Sequence, residues 1–229
     1  MCGKVVAVGP SVKEFIPGDV VFGNGQGCAE YTITSADTLA KVPDGGAQLQ
    51  AEALAVFGGL GVAAGTAYQM LELAGLFEGS EPKNIMVIGA SGGVGSCAVQ
   101  IAKAKCAPGS TVTAVCSGNS AEYVQSIGAD SIIDYSKAGL VFASCVPGSF
   151  DGIIDCVSSP DDYNYVPEGS KLVKPTSGHY VAANSAKVLD WIQLFTFGFG
   201  RGQYKLMVYK ANQKCLNEIG LLVASNQLK

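Results

Sequence analysis

Residues 84–96 read Asn-Ile-Met-Val-Ile-Gly-Ala-Ser-Gly-Gly-Val-Gly-Ser, an apolar β-branched run, a glycine-rich turn and a helical start in that order. The order constrains the chain more than the glycines do. A strand delivers backbone to a tight turn, Gly92, Gly93 and Gly95 permit close approach of a ligand, and the helix behind them presents unpaired N–H groups and a positive dipole end to a phosphate. The flanks, residues 85–88 and the helical run Cys97-Ala98-Val99-Gln100-Ile101-Ala102-Lys103, supply the context that a dinucleotide fingerprint requires. In the G-x-G-x-x-G frame Ala90 takes the first position, and Gly92 and Gly95 the other two. The alternative is a glycine-rich βα loop that holds nothing.

From residue 84 onward strands and helices alternate. Strands are expected at 85–88, 111–115, 131–133, 152–155 and 179–182, with another in Tyr204-Lys205-Leu206-Met207-Val208-Tyr209 and a last helix over 212–224. Such alternation implies parallel strands joined by helical crossovers. The first part of the chain is β-rich with Gly/Pro turns: strands at 4–8, 20–22 and 29–34, closed by Lys41-Val42-Pro43-Asp44-Gly45. Helical patterns follow over 51–76. Residues 53–71 carry no charge, long enough to raise a membrane span, but the stretch contains Gly58, Gly59, Gly61 and Gly65 and reads instead as a buried helix pair at a domain junction.

The 229 residues suffice for one large domain or two small ones, and a net charge of −4 argues against nucleic acid as the main partner. Eight cysteines, at 2, 28, 97, 106, 116, 145, 156 and 215, form no C-x-x-C pair, and several sit in apolar patterns as small hydrophobes. They are expected to be reduced thiols of an intracellular protein; cytosol, mitochondrion and plastid are not distinguished. No leader is visible at Met1. Catalytic zinc needs three ligands and an open fourth position, whereas the chain has one histidine, His179, read as structural. No metal is expected.

Several segments in order resemble the medium-chain dehydrogenase/reductase superfamily, in its zinc-independent quinone oxidoreductase-like branch. Gly3-Lys4-Val5-Val6-Ala7-Val8-Gly9, Pro17-Gly18-Asp19-Val20-Val21-Phe22-Gly23 and Ala29-Glu30-Tyr31 are similar to its GroES-like catalytic domain. Gly65-Thr66-Ala67-Tyr68-Gln69 resembles the junction helix that reaches the nicotinamide, and Val115-Cys116-Ser117-Gly118 and Gly128-Ala129-Asp130…Ile133-Asp134-Tyr135 follow in family order. The resemblance implies an α/β fold, a Rossmann-type doubly wound parallel sheet over 51–229 with its junction helices, plus a partial GroES-like β-domain over 1–50. The family's catalytic domain normally begins before Gly3 and continues after Lys229, so a fragment of a longer polypeptide is expected. The structural-zinc lobe has no room between Phe22 and Tyr31.

The resemblance further implies hydride transfer from a nicotinamide cofactor to a quinone or an activated alkene or carbonyl, without metal. Cofactor contacts are expected at Thr66, Ser91, Gly92, Gly93, Val94, Ser117, Tyr135, Lys137 and Asn184; no catalytic residue is assigned. The second strand of a dinucleotide fold commonly ends in an acid that binds the ribose 2′-OH. Here Cys116-Ser117-Gly118-Asn119 offers none until Glu122, which favours NADPH over NADH, although Asn119 replaces the family's arginine. Ser117 could instead only cap the following helix. The strand in 204–209 is expected at a sheet edge, as a homodimer surface or a surface for an unlike protein, with Leu206 and Val208 on one face and the aromatics Trp191, Phe195, Phe197 and Phe199 nearby. The alternative function is a non-catalytic, family-derived structural subunit of a larger assembly.

Overall fold

The run at 85–88 does form a strand, and a computed structural model shows what surrounds it. The structure describes all residues except 27–28, 44–50, 138–140, 159–163 and 185–202, with backbone alone at 51–54. The aromatic cluster of Trp191, Phe195, Phe197 and Phe199 lies outside the described residues, as do Cys28 and Arg201. The chain divides into two compact units, Thr66–Val208 and Met1–Gly65 with Tyr209–Lys229.

The Thr66–Val208 unit is built on six parallel strands: β4 (Asn84–Ile88), β5 (Thr111–Cys116), β6 (Ser131–Asp134), β7 (Gly152–Asp155), β8 (His179–Ala182) and β9 (Tyr204–Leu206). Their order is β6-β5-β4-β7-β8-β9, so β4 pairs with β5 on one side and β7 on the other. Ile85, Met86, Val87 and Ile88 are all at most 1% exposed. This explains the run's lack of alternation: a strand covered on both faces has no polar side to show. Helix α2 (Gly93–Lys105) links β4 to β5, α3 (Ala121–Ser126) links β5 to β6, and α4 (Val166–Gly169) lies between β7 and β8. α2 buries Gly95 and every residue from Cys97 to Ala102, so its middle is covered nearly all round, while Lys103 and Lys105 in its last turn face the negative end of its dipole. Each fully buried aliphatic of this core stabilises it by about 1.5–3 kcal/mol.

The expected strand in 204–209 is shorter in the structure. It stops at Leu206, 1% exposed, and Val208, 47% exposed, lies beyond it and does not share its environment. β9 takes its register from β8, where Tyr180, Val181 and Ala182 face Tyr204, Lys205 and Leu206. Beyond Leu206, Met207 N–H still donates to the Ala182 carbonyl at 2.8 Å, at the end of β8. Among the described residues β9 stands last in the strand order, as its place in the sequence implied.

In the other unit β1 (Cys2–Lys4), β2 (Val20–Gly23) and β3 (Leu39–Lys41) form an antiparallel sheet in that order. Two expectations fail here. The first strand ends at Lys4, leaving Val6 66% and Val8 39% exposed, and residues 29–34 form no strand, with Tyr31 77% and Ile33 101% exposed. β2 pairs with β1 on one side and β3 on the other, and residues 29–34 join none of these strands. Alternation records compatibility with a sheet surface and does not supply one.

The charge-free stretch forms one continuous helix, α1 (Ala51–Leu73), where a pair was expected. Its glycines serve close approach. A Cβ at Gly61 would lie 3.1 Å from the Gly23 carbonyl oxygen, and one at Gly65 would meet the Tyr209 ring at 2.4 Å. The Tyr209 hydroxyl donates to the Gly61 carbonyl at 3.0 Å. Phe22 and Phe57 pack with ring centroids 4.8 Å apart. The last helix, α5 (Gln213–Ala224), is capped by Asn212, whose side-chain oxygen accepts from the Cys215 N–H at 2.9 Å, and it buries Cys215, Leu216, Ile219 and Leu222. Among the described residues no helix is long and apolar enough to cross a membrane.

Candidate functional site

The turn after β4 is fixed by its own backbone. The N–H groups of Gly89 and Ala90 both donate to the Val115 carbonyl, at 3.0 and 3.1 Å, and Gly92 N–H donates to the Gly89 carbonyl at 3.0 Å. The left-handed conformation falls on Gly89 (φ +78°), one residue before the fingerprint's first position at Ala90. Gly89 is therefore the turn glycine that the sequence frame missed. Gly95 serves helix–strand packing: a Cβ there would lie 2.1 Å from the Gly89 carbonyl oxygen. Gly92 is the N-cap of α2 in extended conformation and offers no side chain to the helix end. The first-turn N–H groups of α2 thus have no intrahelical acceptor and no side-chain cap.

Ser91, Gly92 and Gly93 are exposed, and they open onto a cavity of about 440 Å³ that is also lined by Val94, Tyr135 and Val157. The cavity stands where β4 is flanked by β5 and β7, at the carboxyl ends of the strands. Open parallel sheets bind ligands in the crevice at this reversal of strand order. Among the described residues, a Cβ on Gly92 would meet only the Gly89 carbonyl oxygen, at 3.4 Å. Open glycine backbone, a helix N-terminus and an adjoining cavity fit a dinucleotide diphosphate.

The opposite wall depends on a residue that sequence reading passed over. Asp155 ends β7 and is 1% exposed. One carboxylate oxygen accepts from the N–H groups of Val157 and Ser158, each at 2.9 Å; the other accepts from the Tyr180 hydroxyl at 2.5 Å and from the Ser158 hydroxyl. Ser158 Oγ also accepts from the Tyr165 N–H at 3.0 Å. This buried network fixes the turn that carries Cys156 and Val157 into the cavity. Burial, and then the Asp155 charge, hold the Tyr180 hydroxyl protonated far above its ordinary range. A cluster of Asp, Ser and Tyr contributed by β7, the following turn and β8 leaves no local spacing signal.

Ser117 stands at the end of β5. It is the N-cap of a short 3₁₀ turn, Gly118–Ser120, but its side chain makes no cap hydrogen bond; Ser117 Oγ lies 3.2 Å from Ser120 Oγ. Tyr135 (46% exposed) and Lys137 follow β6, whose Asp134 is in register with Cys116. The Asp134 carboxylate accepts from the Ser136 hydroxyl at 2.6 Å and the Ser136 N–H at 3.0 Å. Those bonds, together with Gly118 N–H and the nearby Lys137 charge, hold its carboxyl below the usual range.

The structure thus brings Ser91, Gly92, Gly93, Val94 and Tyr135 to one cavity. Ser117 and Lys137 lie on the same edge of the sheet, on the segments after β5 and β6. Asn184 follows β8 on that edge too, and Thr66 is buried within α1. His179 opens β8 at the opposite, amino-terminal end of the sheet. Burial and then the Lys205 charge lower its pKa, against a hydrogen bond to the Ala74 backbone. Among the described residues no group of three or more His, Cys, Asp or Glu is arranged to hold a metal ion. Cys2, Cys97, Cys106, Cys116, Cys145, Cys156 and Cys215 are free thiols. Burial raises Cys97 and Cys106 each to about 11.

Comparison with known proteins agrees with this fold. The zinc-binding dehydrogenase family model matches residues 93–181. The chloroplastic quinone-oxidoreductase QR1 of Triphysaria versicolor is 37% identical over 81% of this chain and 57% of its own length. The trans-enoyl reductase pgmF of Aspergillus terreus is 27% identical over 99% of this chain and 65% of its own. Among solved structures, the quinone oxidoreductase from Coxiella burnetii superposes with a TM-score of 0.74 at 22% identity, covering 100% of this chain and 67% of that one, a likeness of fold. The chain spans a little over half the length of the chloroplastic relative. It belongs to the medium-chain dehydrogenase/reductase superfamily.

Proposed function

We propose that this chain carries the nucleotide-binding site of an NADPH-dependent, zinc-independent reductase of quinones or activated alkenes and carbonyls. The observation that carries the reading is the exposed glycine backbone of Gly92 and Gly93, at the start of α2 and lining the cavity at the reversal of strand order. Relatives named as quinone oxidoreductase and enoyl reductase supply the substrate class. A bound nicotinamide supplies the hydride, and the protein supplies binding and orientation.

The backbone of Gly92, Gly93 and Val94 would hold the diphosphate against the α2 terminus. Val157, fixed by Asp155, would pack on the nucleotide. Ser117, Tyr135 and Lys137 would meet the adenosine ribose and its phosphate, with hydroxyls and one ammonium available as donors. Thr66 and Asn184 are proposed for the nicotinamide half. An acceptor that already draws charge onto its own oxygen needs no Lewis acid, and the scarcity of histidine in the sequence supports a zinc-independent course. We propose in addition that β9, at the sheet edge, pairs with its counterpart in a second copy, since an open edge requires covering.

Titration of the 229-residue chain with NADPH and with NADH, followed by nicotinamide fluorescence, tests the cofactor reading. Saturable binding of both, tighter for NADPH, is expected. Tighter NADH binding removes the phosphate assignment, and binding of neither leaves the structural-subunit alternative.

A further inference from the structure

Resting on that cofactor reading, we infer that Asp134 sets how strongly the site distinguishes a phosphorylated from an unphosphorylated adenosine ribose, and that it acts against the phosphate. Sequence order alone hides this role. After β5 the chain runs Cys116-Ser117-Gly118-Asn119, with no acid at the place where a ribose-binding carboxylate usually stands. The parallel pairing of β5 with β6 supplies one from the neighbouring strand, because Cys116 and Asp134 are in register.

The approach is close. Asp134 Oδ2 would lie only 2.5 Å from a Cβ at position 118, so the carboxylate occupies the space that a side chain on Gly118 would need. Gly118 thus lies against one carboxylate oxygen, while the other accepts from Ser136 Oγ at 2.6 Å and Ser136 N–H at 3.0 Å. These bonds favour the charged form, which is therefore the form present at neutral pH. One negative charge thus sits beside Ser117 and just before Tyr135, with Lys137 the one cation this segment provides.

The consequence is opposite for the two cofactors. A ribose 2′-hydroxyl can donate to a carboxylate. A 2′-phosphate, with up to two negative charges, is repelled by it. NADPH preference from Ser117, Tyr135 and Lys137 is accordingly held to a modest value by Asp134.

The test compares Kd values for NADPH and NADH by calorimetry, in the unaltered 229-residue chain and in Asp134→Asn, with circular dichroism confirming the fold. Asp134→Asn is expected to tighten NADPH relative to NADH by about tenfold, with the gap narrowing in high salt. Asp134→Ser, which removes the charge with a smaller group, should move the ratio in the same direction. A ratio unchanged in folded variants, in a chain that binds both cofactors, overturns this inference and leaves the cofactor reading intact. Binding of neither cofactor by the unaltered chain overturns both.

Discussion

The two units of the molecule use apolar residues differently. In the Thr66–Val208 unit the residues of β4 and β7 are buried on both faces, with Ile85, Met86, Val87, Ile153 and Ile154 at 0% exposure. In the unit that contains β1–β3, Val6, Ile16, Tyr31 and Ile33 are more than 60% exposed, beside buried residues such as Phe15, Val21, Phe22, Phe57 and Leu216. A sheet packed on both faces anchors every strand end, and the loops at one edge can then be spent on binding. The glycine cradle, the Asp155 network and the Asp134–Gly118 contact all stand on the buried sheet. A ligand site needs rigid support from beneath, and β4 and β7 of the parallel sheet supply it.

The sharpest way to break this contrast is to truncate one residue of each kind. Ile154→Ala, in the middle of β7, should destabilise its unit by about 3 kcal/mol, read as lost hydrogen-exchange protection in β4 and β7. A loss below about 1 kcal/mol would show that the sheet tolerates a cavity there and is not the rigid support claimed.

Next in size, Gly93→Val should weaken NADPH binding about a hundredfold, because a branched side chain would fill the space over the first turn of α2. Circular dichroism should be unchanged, since Gly93 is exposed. Unaltered affinity in a folded variant would show that the cradle does not hold the diphosphate.

A smaller effect comes from His179. Its folded pKa is lowered, first by burial and then by Lys205, so the unfolded state binds the proton more readily. The stability it contributes is full above the ordinary histidine range and declines as pH falls through that range. Melting temperature should therefore drop on acidification from pH 7.5 to 5.5, and His179→Gln should flatten that slope. An identical slope in the variant would contradict the assignment.

Smallest of all, Ile33→Ser should change stability by less than about 0.5 kcal/mol, because the side chain is fully exposed. A loss as large as that of Ile154→Ala would mean that Ile33 is covered in solution.

The same contrast explains what could be read from the sequence. Strands β4, β5, β6, β7 and β8 were legible within a residue or so, β4 and β7 because doubly buried strands write themselves as continuous apolar runs between turns. The cradle was legible because strand, glycine turn and helix are contiguous. β3 was missed and a strand at 29–34 was expected in its place, because competition for the edge of β2 is settled by residues far apart in the chain. Asp155 and Asp134 were missed for a related reason. Each acts on groups that pairing and turns bring to it: Tyr180 is 25 residues from Asp155, and Gly118 sits beside Asp134 through the β5–β6 register. The one-residue offset between Ala90 and Gly89 was invisible because the fingerprint counts positions, whereas the turn selects the residue that reaches positive φ.

The central claim is that the carboxyl edge of the parallel sheet, at Gly92 to Val94, is where the dinucleotide binds. Amide chemical-shift mapping of the isotope-labelled chain titrated with NADPH tests it most directly. The account predicts the largest shifts at Gly92, Gly93 and Val94, with further shifts at Val157 and Tyr135 and little change at the amino-terminal strand ends around His179. No saturable shifts, or largest shifts away from the glycine turn, would contradict it.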